Sequence, residues 1–313
     1  MSFLITGATG RIGRFVTRQL LDVGARVAVL TRRPHRAREL LGPAVTIHEW
    51  HSNSEPPPRA AVEDARIVVH LMGEPIHGRL TGDKASRITA SRVRPTQALV
   101  QAFHGRAVRW IVASSAAVYP ARWGERYDED FPLDPPQSLL QGAFQQLEQA
   151  AWTATGDGSQ VTLVRFGAII DEQALPRPFG GLSRHVGFRI GNGRQHVPVI
   201  GLSDAQRLVL WLLSTPSAVG PVNGVTPVPL KAGELLAALE GAQGRLLRLP
   251  LPDRLAYRLL GASAENLIRN NNVRPERALA AGFVFREPDP VALVHRLVTA
   301  GAPPAALAVP AKA

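Results

Sequence analysis

The chain has 313 residues, enough for one large α/β domain with a smaller annex, and its 45% apolar content is that of a globular protein able to bury a sizeable core. No apolar run approaches the roughly 18 residues that span a bilayer. Cysteine is absent, which excludes disulfides, thiolate catalysis and zinc–thiolate sites. Met1–Ile5 run straight into a strand rather than a basic, cleavable leader, so a cytoplasmic protein with no membrane partner is expected. A net charge of +11 raises the question of nucleic acid. Only Lys84, Lys231 and Lys312 are lysines, and the arginines are scattered rather than gathered in a stripe, so the charge reads as solvated surface.

In chain order, residues 2–6 read as a strand, followed by a glycine turn and a helix over 11–23. A second strand over 26–31, a short helix over 34–41, and strands over 45–50 and 67–71 follow. A long helical period covers 85–103, then a strand over 108–114, a helix over 137–153 and a strand over 161–166. Strands alternating with helices require crossover connections and parallel pairing. The fold class expected is therefore α/β, a doubly wound Rossmann-type parallel sheet. Beyond 170 the rhythm loosens: Pro and Gly cluster between Leu175 and Pro198, a helix is expected over 204–213, and a Pro-rich link over 221–229. Further helices are expected over 232–240, 252–260 and 275–281. The domain reading is a dinucleotide-binding domain at 1–170, whose sheet is free to take later strands. A small, mostly helical substrate-side domain follows at 171–298, then a disordered Ala/Pro tail at 299–313.

The run Thr6-Gly7-Ala8-Thr9-Gly10-Arg11-Ile12-Gly13 follows a strand and opens a helix, the context that turns a glycine pattern into a nucleotide site. Gly7 permits the turn, Gly10 admits the diphosphate and Gly13 lets helix and strand pack, while the helix end attracts the phosphates. The second strand decides the nucleotide. NAD sites place an acid there for the ribose 2′-hydroxyl; here the strand ends Thr31-Arg32-Arg33, with no carboxylate until Glu39. Guanidinium groups bind a 2′-phosphate that a carboxylate repels, so Arg11, Arg32 and Arg33 predict NADP(H). Leu71, Met72 and Gly73, after the fourth strand, are expected beside the nicotinamide half.

The G-x-x-G-x-x-G spacing is typical of the short-chain dehydrogenases/reductases, and the chain from about 2 to 296 resembles one atypical, epimerase-like branch of them. That branch belongs to the NAD-dependent epimerase/dehydratase superfamily and ends in a small domain of unknown function. The motifs that carry the resemblance are Gly73-Glu74-Pro75, Arg79-Leu80-Thr81, and Ser91-Arg92 with Thr96. Further on they are Gly191-Asn192-Gly193-Arg194-Gln195, Asp204, Gly220-Pro221-Val222-Asn223, and Pro275-Glu276-Arg277 leading into Ala281-Gly282-Phe283-Val284-Phe285. The resemblance implies a catalytic serine at Ser115, followed in competent relatives by a Tyr and, four residues on, a Lys that lowers the Tyr pKa. Those positions fall on Leu140 and Phe144, and no Tyr-x-x-x-Lys occurs in the chain.

Three groups are candidates for the missing proton carrier. Glu74, on the loop after the fourth strand, is one, a partly buried carboxyl whose pKa would be raised. An acid that merely caps its loop is the equal alternative for Glu74; Tyr119 and His77 are the others, with packing at the strand end favoured for Tyr119 and plain surface for His77. Arg92 and Arg194 are candidate contacts for an anionic or hydroxylated small-molecule substrate, and Arg165 for such a substrate or for the cofactor, with a salt bridge as the alternative for Arg165. The chain also departs from its relatives: where they tend to read Gly-Arg-Gln-Trp-Phe-Ser-Trp-Ile-His-Ile-Asp-Asp it has Gly193-Arg194-Gln195-His196-Val197-Pro198-Val199-Ile200-Gly201-Leu202-Ser203-Asp204. It has His70 for their Asn and Asp171 for their Gly. The expectation is an NADP(H)-binding, epimerase-like oxidoreductase, catalytic through Ser115 and Glu74, as monomer or homodimer. The alternatives are a non-catalytic NADP(H)-binding regulatory or redox-sensing protein and, third, a nucleic-acid-binding member.

Overall fold

Strands β1 (Ser2–Thr6), β2 (Arg26–Thr31), β3 (Thr46–Glu49), β4 (Ile67–His70), β5 (Arg109–Ser115) and β6 (Gln160–Phe166) form in a computed structural model of the chain. Between them lie helices α1 (Arg11–Asp22), α2 (Pro34–Leu41), α3 (Arg59–Val62), α4 (Gly82–Ala102) and α5 (Leu139–Trp152). The structure describes residues 1–76, 82–172, 186–190, 192–243, 247–260 and 268–300. His77, Arg79-Leu80-Thr81, Gly191, most of the 175–198 cluster and the tail from Gly301 lie outside the described residues.

The strands pair in parallel because helices cross over between them, and these helices cover both faces of the central strands. Alternate side chains point to opposite faces, so Phe3 and Ile5 of β1 join Val16, Leu20 and Leu41 of α1 and α2 in one core. Leu4 between them joins Phe103 and, from α5, Phe144 and Leu147 in the other. Strands buried on both sides read as continuous hydrophobic runs, which is why the sequence showed them clearly.

β7 (Ala168–Ile170) ends at the expected boundary, and beyond it come β8 (Val186–Ile190), β9 (His196–Val197), β10 (Val199–Gly201), α6 (Leu202–Ser214), β11 (Gly220–Gly224), β12 (Leu230–Lys231), α7 (Ala232–Gln243), β13 (Leu247–Leu251) and α8 (Asp253–Leu260). Helices at Glu276–Ala280 and Pro290–Ala300 follow. The sheet order is β11-β6-β5-β4-β1-β2-β3. Its seventh strand, β11, replaces the first part of the link expected over 221–229. Pro221 cannot donate to a ladder, but β11 is an edge strand, where that loss is tolerated. Helix α6 sends Ala205, Leu208, Val209 and Leu212 into the core that α1 also fills. The rest of the C-terminal part adds three two-stranded pairs, β7–β10, β9–β12 and β8–β13, to its helices. Val197, Val199, Leu230, Leu293, Val294 and Leu297 share a third small core there.

Strand order reverses between β1 and β4. A crevice at the carboxyl ends of strands on either side of such a reversal is where doubly wound sheets bind ligands.

Candidate functional site

The loop from β1 into α1 is built to bring backbone close to something. Gly7 has φ +68°, and a Cβ there would lie 2.8 Å from the Leu71 carbonyl carbon, so the β1 and β4 ends approach each other only across a glycine. The Gly10 amide donates to the Gly7 carbonyl at 2.9 Å, closing the turn. A Cβ on Gly13 would collide with that same carbonyl, so α1 could not start where it does. Gly10 caps α1 without any side-chain bond, leaving the first amides of the helix unoccupied by side chains. Thr9 and Ile12 flank them, half-buried. A bare, positively polarised helix end beside the switch point fits the diphosphate of a dinucleotide.

At the end of β2 the Arg33 amide donates to Thr31 Oγ1 at 3.2 Å, turning the chain. Arg32 and Arg33 are exposed, and among the described residues neither guanidinium has an ion-pair partner. The nearest carboxylate across the sheet, Glu49, is paired in register with Thr31 and bonds His51 Nε2 at 3.1 Å. Arg11 is placed differently from these two. Its guanidinium bonds Asp171, just past β7, on the substrate side of the crevice.

Beyond β4 the loop Leu71-Met72-Gly73-Glu74 is pinned from α4. Ser91 Oγ accepts the Glu74 amide at 2.9 Å, and Arg92 Nη2 donates to the Glu74 carbonyl at 3.0 Å. Arg92 also donates to the Ile88 carbonyl and lies 5.0 Å from the Phe144 ring centroid. A Cβ on Gly73 would sit 2.8 Å from Arg92 Cζ. Burial lowers the Arg92 pKa to about 10, with the Glu74 charge opposing, so it stays cationic at neutral pH. This guanidinium is 9% exposed and spent on backbone carbonyls. It is a buried cation against Phe144 of α5.

Under this loop His70 is 1% exposed. Its Nδ1 lies 2.8 Å from Thr6 Oγ1 and its Nε2 3.0 Å from Thr96 Oγ1. Thr96 gives its only proton to the Arg92 carbonyl at 2.7 Å. His70 Nε2 must therefore donate to Thr96, and Nδ1 must accept from Thr6, a tautomer assigned from donor counting. Burial, then the Arg92 charge, lower the His70 pKa to about 4.

At the end of β5, Ser115 is half-buried, and its Oγ accepts the Ala117 amide at 3.2 Å, capping the 3₁₀ turn Ala116–Val118. That leaves its hydroxyl proton available to an oxygen in the crevice. Ser114 points the other way and donates to Glu148 at 2.6 Å. Arg165 is buried: its Nε and Nη2 bond the two Glu148 oxygens at 3.0 and 2.8 Å, and its Nη1 donates to Tyr119 at 2.9 Å. The salt bridge held as its alternative role is thus what the geometry provides. Tyr119 in turn donates to Asn223 Oδ1 at 2.9 Å. It is 1% exposed, and burial pushes its pKa up to about 12 against the pull of Arg165 and Asn223. A buried phenol held at that value cannot serve as a base near neutral pH. Leu140 and Phe144, on α5, are both buried, Leu140 against Ile88 and Ala143.

Several motifs of the substrate half have structural partners. Arg194 is exposed, and its amide bonds Asn192 Oδ1 at 2.9 Å. Asp204, fully buried, accepts the Arg286 and Glu287 amides at 3.0 and 2.9 Å and pairs with Arg207. Glu129 Oε1 accepts the Asn223 amide at 2.8 Å, and its Oε2 the Arg277 amide at 3.2 Å. Sequence reading missed Glu129, and also Asn271, whose Nδ2 bonds the Ala116 carbonyl beside Ser115 at 2.8 Å. Neither carries a local spacing signal, since each acts on a segment far away in the chain.

The family model for the NAD dependent epimerase/dehydratase family matches residues 3–172. An epimerase family protein of Mycobacterium leprae is 30% identical over 286 residues, covering 90% of each chain. The chain belongs to the NAD dependent epimerase/dehydratase family. A chloroplastic epimerase family protein SDR39U1 homolog of Arabidopsis thaliana is 29% identical over 91% of this chain and 83% of its own. The human epimerase family protein SDR39U1 (isoform 2), solved with NADPH, superposes with a TM-score of 0.77 at 26% identity, over 95% of this chain and 99% of that one. Membership makes this a nicotinamide-dinucleotide family protein with the expected Rossmann-type fold. Among the described residues no helix is long and apolar enough to cross a membrane, and no group of three or more His, Asp or Glu could hold a metal ion.

Proposed function

We propose that this member of the family binds NADP(H) and acts as an epimerase-like oxidoreductase on a small polar substrate. The observation that carries the cofactor reading is the exposed pair Arg32 and Arg33, free of acidic partners among the described residues, at the end of the strand beside a bare helix N-terminus. Gly7, Thr9, Gly10, Ile12 and Gly13 form the diphosphate cradle, Arg11 flanks it, Thr31 with the two arginines faces the 2′-phosphate, and Leu71, Met72 and Gly73 lie toward the nicotinamide. The dinucleotide supplies or accepts the hydride. Ser115 directs its hydroxyl at the substrate oxygen, and Glu74 carries the accompanying proton. Arg92 supports this reading, because it fixes the Glu74 backbone and keeps a positive charge in the site although α5 has no lysine. Arg194, exposed at the substrate side, is available to a polar substrate.

A second reading, an NADP(H)-binding protein without turnover, is favoured by the apolar packing of Leu140, Ile88 and Ala143 where the family's tyrosine would stand. One experiment separates the two. NADPH deuterated at the nicotinamide 4-position is incubated with the protein and a panel of aldehydes, ketones and sugar nucleotides, and deuterium in the organic products is read by mass spectrometry. The catalytic reading predicts transfer to at least one compound, lost by about 10²-fold or more in Glu74→Gln, a typical share for a positioned proton carrier. NADPH affinity in that variant should be unchanged. No transfer to any compound, with NADPH bound, assigns the second reading.

A further inference from the structure

Past the carboxyl end of β11 lies a small cavity, at the same end of the sheet as Ser115. Ser115 pairs in register with Phe166 of β6, and Phe166 with Gly224 of β11. Val225 and Thr226 continue from that strand and line the cavity, together with His196, Leu230, Asn271 and Asn272. The asparagine segment is firmly held. The Asn271 amide donates to the His196 carbonyl at 3.0 Å, and the Asn272 carbonyl accepts the Tyr127 amide at 2.9 Å. Asn270 Oδ1 accepts the His196 amide at 2.9 Å. Asn271 is 8% exposed, and its Nδ2 is spent on the Ala116 carbonyl, which fixes the orientation of the amide. Its Oδ1 is buried with no hydrogen-bond partner among the described residues, and so is Asn272 Oδ1. Buried polar atoms are nearly always paired, so two unpaired oxygens on side chains that line one cavity call for a ligand group there.

The atoms available to that group set its chemistry. Asn271 Oδ1 only accepts, so the group must donate. The Asn272 side chain makes no hydrogen bond among the described residues, so its amide can present oxygen or nitrogen without losing one. A hydroxyl, which gives one proton and accepts on its lone pairs, satisfies both asparagines. An ionised carboxylate brings no proton, and an ammonium finds no carboxylate among the residues that line the cavity. The space is about 10 Å³, room for one water-sized group. We infer that Asn271 and Asn272 form a subsite for one hydroxyl group of the substrate, which is therefore neither an acid nor an amine at that end. The inference rests on reading this crevice as a substrate site, and it narrows the small polar substrate to a hydroxylated one held beside the Ser115 turn.

The test uses the full chain, isotope-labelled at its asparagines, so that the Asn271 and Asn272 side-chain amides report on the cavity by NMR. Ethylene glycol, its dimethyl ether, oxalate and ethylenediamine are titrated in turn, with and without NADP⁺. Ethylene glycol should move both signals to saturation, and the other three should leave them in place. Asn272→Leu keeps the size, removes one partner and breaks no side-chain hydrogen bond of the fold. It should unfold at no lower a urea concentration than the wild type and weaken the glycol by about fivefold or more, read on the Asn271 signal. Signals that the glycol does not move, as with a water too well held to be displaced, would overturn the inference. So would an equal response to the ether, which needs no variant, or an unchanged glycol affinity in Asn272→Leu. A folded wild type that answers to the glycol but takes no NADP⁺ would support the subsite and overturn the nucleotide reading instead.

Discussion

At position 70 the chain buries an imidazole between two threonine hydroxyls and beside the Arg92 guanidinium. A neutral ring satisfies both threonines; a second proton would leave Nδ1 with no acceptor, because Thr6 already donates to it. The sign of the resulting pH dependence follows. As pH falls through about 6.5 the unfolded chain takes up a proton that the folded chain refuses until about pH 4. The stability due to the neutral ring is therefore complete above pH 6.5 and lost progressively down to pH 4, by on the order of 3 kcal/mol for a shift of this size. His70→Asn keeps a donor and an acceptor and removes the titration. Urea unfolding between pH 7.5 and 4 should show the wild type losing stability relative to the variant across that window. Parallel curves would show that the ring protonates freely in the folded state. The residue scale is also where the sequence was least informative. Gly7, Gly10 and Gly13 were legible because each acts within a few residues of its neighbours. The occupations of Arg165 and Arg92 depend on Glu148 and on a loop carbonyl 18 residues away.

Among the elements, strands buried on both faces announced themselves: β1, β4, β5 and β6 lie where apolar runs placed them, because burial on two sides leaves little polar alternation to read. The edge strand β11 was hidden by its own Gly and Pro, which look like a turn unless the vacancy beside β6 is known. The two-residue strands β9 and β12 were illegible, since pairs so short exist only because the chain around them is already held. Asp204 shows the same dependence from the other side. It sits in the first turn of α6, yet its carboxylate fixes the segment at Arg286 and Glu287, more than 80 residues later in the chain. Asp204→Ala removes the acceptor for two amides and for Arg207, a loss of about 2–4 kcal/mol for a buried, multiply bonded carboxylate. Hydrogen exchange should show the 286 and 287 amides losing protection before those of β1. Retained protection in that variant would mean that the aromatic contacts of Phe283 and Phe285 hold the segment alone.

For the whole molecule, one sheet with its strand-order reversal between β1 and β4 brings the glycine loop, the β2 arginines, the Glu74 loop and Ser115 to one end. Three of the arginines that first suggested nucleic acid are occupied inside the fold: Arg92, Arg109 and Arg165 are bonded to backbone carbonyls or buried carboxylate. The glycine loop and the β2 arginines sit at the same end of the sheet as buried Leu140 and Phe144, the positions to which the resemblance assigns a Tyr and a Lys. Everything proposed for its chemistry depends on which dinucleotide the crevice accepts. The measurement that decides this is the affinity of the wild type for NADPH and NADH, compared with an Arg32→Ala, Arg33→Ala double variant. The wild type should bind NADPH at least about tenfold more tightly than NADH, and the double variant should bring the two within about twofold, since charge-assisted contacts to the 2′-phosphate are what it removes. Equal affinities in the wild type, or a preference that survives loss of both arginines, would contradict the account.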